Sequence, residues 1–309
     1  MENLNPNLKK EFLAKGYLIG DKIGEGGCSY IYKAQRINTE IFVAIKLLKL
    51  PASYGKLAKL ELISYFKQSN ALYDSLHHSN IVVCFENGEL LSGMPYAIFE
   101  YIPGKTLKQF LILRTSISPI VIASIMGEVL KVLAYAHSIG VIHGDLKPHN
   151  IMISRSVKAF HVKLIDFGFY KPLNGFESSE LKFLSPQYNA PEQLSGNPPT
   201  CKSDLYSWGL IVLECITGKV AVSGHSMKDI YANQLRAKDV DIPSDIKEHD
   251  LGYLLQKILK KNRLERFDDT RQLLKEFSSL DFSTLPNCFS LDRQACRLNT
   301  DNTILSALE

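Results

Sequence analysis

The chain has 309 residues, of which 45% are apolar and 22% charged, and its formal net charge is +4. These values are typical of a soluble globular protein and exclude an intrinsically disordered one. The weak basic excess gives no basis for nucleic-acid or membrane binding. At roughly 100–200 residues per domain, the length predicts about two packed units.

The cysteines and the apolar stretches predict the compartment. The six cysteines have no CxxC spacing, which argues against a zinc site or a disulfide scaffold and favours a reducing compartment. The N-terminus lacks the apolar segment of a secretory signal. No stretch reaches the roughly 20 predominantly apolar residues that span a bilayer. We therefore expect a cytoplasmic protein without a membrane span, and a non-classical or effector route of secretion stays open.

The first hundred residues are predicted to be mostly strand, with one helix. Apolar residues near a 3.6-residue spacing predict that helix over Gly55–Leu76. Short runs rich in β-branched and aromatic residues predict strands over Tyr17–Gly24, Ser29–Arg36, Ile41–Leu47, Val82–Glu86 and Pro95–Tyr101.

The remainder is predicted to be mostly helical. Pro119 fits the first turn of a long helix that ends at Gly140. Short strands are predicted over Ile151–Ile153 and Val162–Ile165, and helices over Lys202–Thr217, Met227–Arg236, Leu251–Lys260 and Thr270–Leu280. The change from strand to helix predicts two unequal lobes with a hinge near Glu100–Gly104.

A glycine-rich segment, Gly24-Glu25-Gly26-Gly27-Cys28-Ser29, lies between the first two predicted strands. Glycines let the backbone turn tightly and bring N–H donors close to phosphates. A glycine-rich hairpin without any ligand explains the segment equally well. The position between two strands disfavours a dinucleotide fold, which needs a strand followed by a helix.

Three further motifs carry charged or polar groups. In Val43-Ala44-Ile45-Lys46 the lysine is placed either to hold phosphates or simply to reach water. The run His143–Asn150 combines an acid suited to orienting a hydroxyl, a cation suited to neutralising a phosphoryl group, and an amide suited to a metal. Asp166-Phe167-Gly168 follows an apolar strand and offers Mg²⁺ a carboxylate, although a simple turn explains it equally well.

Together with Ala190-Pro191-Glu192, these four motifs resemble, in order, the signature of protein kinases. The resemblance covers about residues 17–280. It implies an α+β, bilobal fold, with a small β-rich N-terminal lobe over about 17–100 that has one main helix, and a large, mostly helical C-terminal lobe over about 104–280. Residues 1–16 and 281–309 would be an N-terminal extension and a C-terminal tail.

The resemblance also implies a reaction and its cofactors. The γ-phosphoryl group of ATP would pass to a protein substrate with the help of Mg²⁺, or of Mn²⁺. Asp145 would position the acceptor hydroxyl as base, Lys147 would contact the γ-phosphate, and Asn150 and Asp166 would hold the metal. The implied nucleotide-binding set is Ile23, Gly24, Glu25, Gly26, Gly27, Cys28, Ser29, Ile31, Ala44, Lys46, Phe99, Glu100 and Ile102.

Within that set, the glycine-rich backbone would cover the nucleotide and Lys46 would hold its α- and β-phosphates. Phe99 is the implied gatekeeper, and Glu100–Ile102 is the implied hinge that bonds adenine. Two structural roles are implied as well: a Glu192–Arg266 pair that braces the large lobe, and Asp204 as the anchor of the catalytic-loop backbone.

The details resemble serine/threonine kinases, and bacterial ones in particular. Lys147 stands two residues after Asp145, and Ser185–Asn189 resembles the segment of serine/threonine kinases that precedes Ala-Pro-Glu. Ala190–Gly196 and the tandem Gly26-Gly27 resemble bacterial members. The expected partner is a protein with a Ser or Thr acceptor and not a nucleic acid, and the oligomeric state stays open.

Two departures from the family concern the glycine-rich segment and the catalytic loop. Ser29 replaces the third loop glycine, which adds a side chain near the phosphates. Gly144 replaces the arginine that usually precedes the catalytic aspartate. We therefore expect weak or absent control by phosphorylation of the activation segment. Replacement of Ser178, Ser179 and Ser185 would test this.

The third departure concerns the partner of Lys46. Counting back the usual nine residues from His78 reaches Ser69, where kinases place a glutamate that pairs with the lysine. Glu61 lies two turns earlier and would need a shifted helix. Lys46 therefore either lacks its usual ion partner or has one supplied from elsewhere in the chain, and the sequence does not decide which.

Two alternatives remain. A pseudokinase, which would bind nucleotide or act as a scaffold with little transfer, is favoured by Ser69 and Ser29. The intact chemical groups oppose it, namely Lys46, Asp145, Lys147, Asn150 and Asp166. A small-molecule kinase of the same fold is favoured by His143-Gly144-Asp145, and it is opposed by Asp166-Phe167-Gly168, the Ser185–Glu192 segment and Arg266.

Overall fold

A computed structural model describes residues 6–113, 117–155, 160–168 and 185–285. The strands are β1 Tyr17–Glu25, β2 Ser29–Arg36, β3 Phe42–Leu48, β4 Cys84–Glu89, β5 Pro95–Glu100, β6 Lys105–Thr106, β7 Ile151–Arg155 and β8 Phe160–Leu164. The helices are α1 Pro6–Ala14, α2 Lys56–Ala71, α3 Leu107–Leu113, α4 Pro119–Ser138, α5 Pro191–Leu194, α6 Cys201–Thr217, α7 Met227–Leu235, α8 Ser244–Lys247, α9 Asp250–Ile258 and α10 Thr270–Ser278.

The N-terminal lobe is built on an antiparallel sheet of five strands in the order β1-β2-β3-β5-β4. Successive side chains of a strand point to opposite faces. On β3, Val43, Ile45 and Leu47 therefore enter an apolar cluster on one face, while Ala44 and Lys46 line a cleft on the other. This alternation delivers the lysine to the cleft.

The apolar cluster behind the sheet is covered by α1, a helix in the segment predicted only as an extension. Phe12 is fully buried there and meets Tyr96 edge to face, with ring centroids 5.2 Å apart. The Glu11 carboxylate accepts a hydrogen bond from the Leu91 amide at 2.6 Å. The part of the extension that forms α1 is thus part of the N-terminal lobe.

The C-terminal lobe is organised around α4 and α6, the two most apolar stretches of the sequence. Trp208 on α6 is fully buried, and its indole N–H donates to the Met126 carbonyl of α4 at 3.0 Å. By length and composition alone, α4 is a candidate membrane span, and more than half of its apolar window is buried inside the protein. Phe282 and Leu285 also join this core, so packing continues past residue 280.

The bilobal fold class is as predicted, and the predicted strands and longer helices lie within a few residues of the observed ones. One boundary differs in kind. The helix predicted to reach Leu76 ends as an α-helix at Ala71 and continues as a 3-10 turn over Leu72–Ser75. That tighter turn positions Tyr73 beneath the cleft, where its ring meets Phe99 edge to face.

Candidate active site

A cleft between the sheet and the C-terminal lobe brings together most of the side chains in the predicted nucleotide-binding set. Its lining includes eight predicted residues: Ile23, Ile31, Ala44, Lys46, Phe99, Glu100, Ile102 and Asp166. Tyr101 also lines it and lies within the predicted hinge Glu100–Ile102, and four more lining residues were not predicted: Tyr73, Val82, Met152 and Ile165. Mostly apolar walls with a few polar groups are typical of small-molecule sites.

The glycine-rich segment is the turn between β1 and β2, as its sequence position indicated. The Gly26 amide donates to the Ser29 carbonyl at 2.8 Å and closes the turn. The Glu25 carboxylate forms ion pairs with Lys49 and Lys22. Hydrogen bonds from Lys49 and then Lys22 lower the pKa of Glu25 to about 2, so it is ionised at neutral pH.

The Cys28 thiol does not line the cleft. Cys28 is buried in an apolar cluster with Leu48, Leu62 and Phe66, which joins the turn to α2. Of the predicted loop residues Gly24, Gly26, Gly27, Cys28 and Ser29, none is among the side chains that line the cleft. Their predicted contacts with phosphates would therefore come from the backbone.

The Nζ atom of Lys46 lies 2.6 Å from Oδ1 of Asp166. Lys46 is buried, while about a third of the Asp166 side chain, 34%, is exposed to the cleft. Burial opposes ionisation of Asp166, but the ammonium of Lys46 outweighs it and holds the pKa of this carboxyl below its ordinary value. Asp166 adopts the left-handed backbone conformation, with φ of 61°, which is uncommon outside glycine.

Ser69 lies where the predicted register places it. It is buried, and a Cβ added to Gly168 would lie 3.8 Å from the Ser69 Cα. Its hydroxyl donates back to the Phe66 carbonyl at 3.0 Å. The helix therefore presents a neutral serine next to the Asp166-Phe167-Gly168 turn.

Asp145, Lys147 and Asn150 converge in the loop before β7. The Lys147 ammonium donates to the Asp145 carboxylate at 2.7 Å and to the Ser185 hydroxyl at 3.0 Å. The Asn150 amide donates to the Asp145 carbonyl at 2.8 Å. The Ile165 amide donates to the Asn150 carbonyl at 3.0 Å, so this loop and the Asp166 turn are joined through their backbones.

Asp204, at the start of α6, holds the backbone of the same loop. Its carboxylate accepts from the amides of His143 at 2.7 Å and Gly144 at 2.9 Å. His143 is fully buried, and its ring bonds the Ile165 carbonyl and the Asp145 amide. Burial lowers the pKa of His143, and hydrogen bonds to backbone groups occupy both ring nitrogens, so this histidine braces the loop.

Glu192 and Arg266 form the buried pair implied by the sequence. The guanidinium donates two parallel hydrogen bonds to the carboxylate, at 2.8 and 2.9 Å. Both residues are less than a tenth exposed. The paired geometry and the additional bond from Arg266 to the Lys260 carbonyl offset the cost of burying the two charges.

Among the residues that the sequence reasoning missed, two hold the backbone of the site by hydrogen bonds. The Tyr73 hydroxyl accepts from the Phe167 amide at 3.1 Å, and Gln193 bonds the Gly144 carbonyl at 2.7 Å. Tyr73 follows Ser69 by one helical turn, a spacing that could have marked it. Gln193 carried no signal, because its partner is a backbone atom 49 residues away.

The donor atoms near Asp166 suit a hard divalent ion. Asp145, Asn150 and Asp166 offer carboxylate and amide oxygens, the ligands that Mg²⁺ prefers. The hydrogen bonds that join their two loops bring these groups to one end of the cleft. The residues present therefore fit the metal that the sequence implied.

A family model of the protein kinase domain matches residues 17–277. The chain belongs to the protein kinase family. Among curated proteins, this kinase is 28% identical to a probable serine/threonine-protein kinase of Clostridium perfringens, over 87% of this chain and 39% of the relative. It is 32% identical to the serine/threonine-protein kinase PrkC of Bacillus subtilis, over 72% and 33%.

A third relative is the serine/threonine-protein kinase PknB of Mycobacterium tuberculosis, with 27% identity over 84% of this kinase and 42% of the relative. The kinase thus spans about two fifths of the length of these relatives or less. The likeness falls on the part of the chain that contains the cleft, since the family model begins at β1 and ends within α10.

Proposed function

We propose that this kinase transfers the γ-phosphoryl group of ATP to Ser or Thr hydroxyls of a protein substrate, with Mg²⁺ as the required ion. The observation that carries the proposal is the convergence of Lys46, Asp166 and the Asp145 loop at one end of an apolar cleft. An adenine between apolar walls would direct its phosphates toward these charges.

In this proposal each group has one task. Lys46 holds the α- and β-phosphates, while Asn150 and Asp166 hold the metal, which supplies charge neutralisation. Asp145 orients the acceptor hydroxyl and takes its proton. Lys147, already bonded to Asp145 at 2.7 Å, neutralises the charge that develops on the transferred group. Positioning and neutralisation are the main demands of a loose transition state.

The choice of Ser and Thr as acceptors rests on two supports. The relatives described above are named serine/threonine-protein kinases. Lys147 also bridges Asp145 and Ser185, so the acceptor site is bounded by the lysine found in the sequence pattern of serine/threonine kinases. A protein substrate is the corresponding partner.

Ser69 favours one other function, that of a pseudokinase. With a neutral serine on α2, the position of Lys46 depends on groups such as Asp166, which is also a proposed metal ligand. A nucleotide-binding module with little transfer would tolerate that arrangement. The full set of Asp145, Lys147 and Asn150, hydrogen-bonded to one another, supports transfer.

The test is transfer of radiolabelled phosphate from ATP to the kinase itself and to a generic basic protein. We expect Asp145→Asn to lower kcat by at least about 100-fold, the effect of losing a general base, while nucleotide affinity changes little. Asp241→Asn, at a carboxylate whose side chain is 82% exposed, is the matched control. Equal, low transfer by wild type and Asp145→Asn, with intact nucleotide binding, would select the pseudokinase.

A further inference from the structure

Gln193 joins the end of the Ser185–Glu192 segment to the catalytic loop. Its side chain lies in α5 and is only 1% exposed. Its amide nitrogen donates to the Gly144 carbonyl at 2.7 Å. Its amide oxygen accepts from the Ala190 amide at 3.0 Å. Both ends of the carboxamide are therefore used on backbone groups of two different segments.

The backbone of Gly144 is held on both sides of its Cα. Its N–H donates to Asp204 at 2.9 Å, and its carbonyl accepts from Gln193. Gly144 adopts φ of 78°, a left-handed conformation that glycine allows without strain. The Gly144 carbonyl belongs to the peptide bond between Gly144 and Asp145. The orientation of this carbonyl therefore sets the backbone position from which the Asp145 side chain projects.

Gln193 is itself rigidly placed. The preceding residue, Glu192, carries the buried pair with Arg266 and also accepts from the Ser203 hydroxyl at 2.8 Å. The short helix α5 is thus fixed to α6 and to the loop after α9. A buried, fully satisfied polar network of this kind is expected to hold one geometry.

We propose that Gln193 is a positioning residue for Asp145, and that it orders the catalytic loop by a neutral amide clamp that needs no phosphate. The inference rests on the proposed function. The residue before Asp145 is Gly144, so a cation cannot link this position to a phosphorylated segment. The Gln193 side chain instead links the catalytic loop to the end of the Ser185–Glu192 segment, by hydrogen bonds that do not depend on phosphorylation.

The first test compares Gln193→Met with Gln234→Met. Gln234 is fully buried and donates to the Asn189 carbonyl at 2.6 Å, so it is a glutamine of equal burial that holds the neighbouring segment without bonding the catalytic loop. We expect kcat of Gln193→Met to fall at least about tenfold with the KM for ATP within about twofold, because small misplacements of catalytic groups are costly. Gln234→Met should keep kcat within about twofold. Equal kcat in the two variants would overturn the proposal.

The second test is the pH profile of Gln193→Glu. An ionised glutamate accepts from the Ala190 amide but cannot donate to the Gly144 carbonyl, whereas the protonated acid donates again. Burial raises the pKa of a carboxyl. The ratio of the kcat of Gln193→Glu to the kcat of wild type should therefore rise at least about threefold from pH 8 to pH 6. The ratio removes the pH dependence of kcat that both proteins share. A flat ratio would contradict the clamp.

A third measurement separates this proposal from the proposed function. Hydrogen exchange is followed in peptides that cover residues 143–146, in the apo proteins. Faster exchange in Gln193→Met than in Gln234→Met supports the clamp even if the wild-type protein transfers no phosphate. Equal exchange in both variants overturns the clamp whatever the activity is.

Discussion

The Nζ atom of Lys46 lies 2.6 Å from Oδ1 of Asp166, although 120 residues separate the two in sequence. The carboxylate proposed to hold the metal thus also fixes the lysine proposed to hold the phosphates. Ser69, on the helix that faces this pair, contributes a hydroxyl bonded to its own helix backbone. Lys46 and the metal are therefore predicted to compete for Asp166.

Ser69→Glu is predicted to relieve that competition. A carboxylate on α2 would attract Lys46 and leave Asp166 to the metal. We expect the Mg²⁺ concentration for half-maximal transfer to fall about threefold, in keeping with an ion pair worth up to about 1 kcal/mol. Ser69→Gln, of the same size but neutral, is the control. The same Mg²⁺ dependence in both variants would contradict this explanation.

Phe12 is predicted to make α1 an integral part of the N-terminal lobe. Phe12 is fully buried, while its neighbour Leu13 is 50% exposed. Phe12→Ala should lower the free energy of unfolding by about 3–5 kcal/mol through lost burial and a cavity. Leu13→Ala should change it by less than about 0.5 kcal/mol. Urea denaturation measures both, and similar small losses would show that α1 is only loosely attached.

His137 is predicted to make stability depend on pH. Burial of its ring opposes protonation, but hydrogen bonds with Asp204 and Cys201 prevail and raise its pKa to about 9. The folded state therefore keeps a proton that the unfolded state loses near pH 6.5. The stabilisation is complete below about pH 6.5 and is lost as the pH rises toward 9.

The measurement compares urea unfolding of wild type and His137→Gln between pH 6.5 and 8. The free energy of unfolding of wild type should fall relative to the variant by about 2 kcal/mol over this window. The window stops at pH 8 because burial lowers the pKa of Lys261 to about 8. Above that pH, Lys261 makes the free energy of unfolding change in the direction opposite to the change from His137. Parallel curves for the two proteins would refute the role of His137.

Activity is predicted not to require phosphate on the activation segment, because Gly144 stands where an arginine would bind it. Ser178 and Ser179 lie outside the described residues, and their replacement by alanine should leave kcat within about twofold. Ser185 is a poorer probe, since its hydroxyl bonds Lys147 at 3.0 Å. A more than tenfold loss of kcat in the double variant Ser178→Ala and Ser179→Ala would contradict phosphate-independent activity.

The sequence predicted the site residues that belong to motifs. It missed the residues that contact the site by hydrogen bonds to the backbone. Lys46, Asp145 and Asp166 stand in recognisable spacings, and the fold brings them together. Tyr73 and Gln193 bond the backbone of Phe167 and Gly144, and no side-chain pattern records such a contact. The sequence raised the question of what partners Lys46, and only the geometry of the cleft answered it with Asp166.

The helices that the sequence missed are also those whose stability depends on distant residues. Long, strongly apolar segments such as α4 and α6 were predicted, whereas α1 and α3 were not. α1 has nine residues and buries only Phe12, so its local apolar signal is weak, and its stability comes from packing against the sheet. Packing of that kind depends on residues distant in the chain, which a local pattern cannot show.

The central claim is that Asp166, with the Asp145 loop, grips a divalent ion against the phosphates of a nucleotide in the cleft. Calorimetric titration with ATP tests it most directly, with Mg²⁺ present and with the metal removed by chelation, for wild type and Asp166→Asn. We predict that Mg²⁺ strengthens nucleotide binding to wild type at least about tenfold and that Asp166→Asn loses most of this gain. Binding of ATP that is equally strong without metal, or equally metal-dependent in Asp166→Asn, would contradict the account.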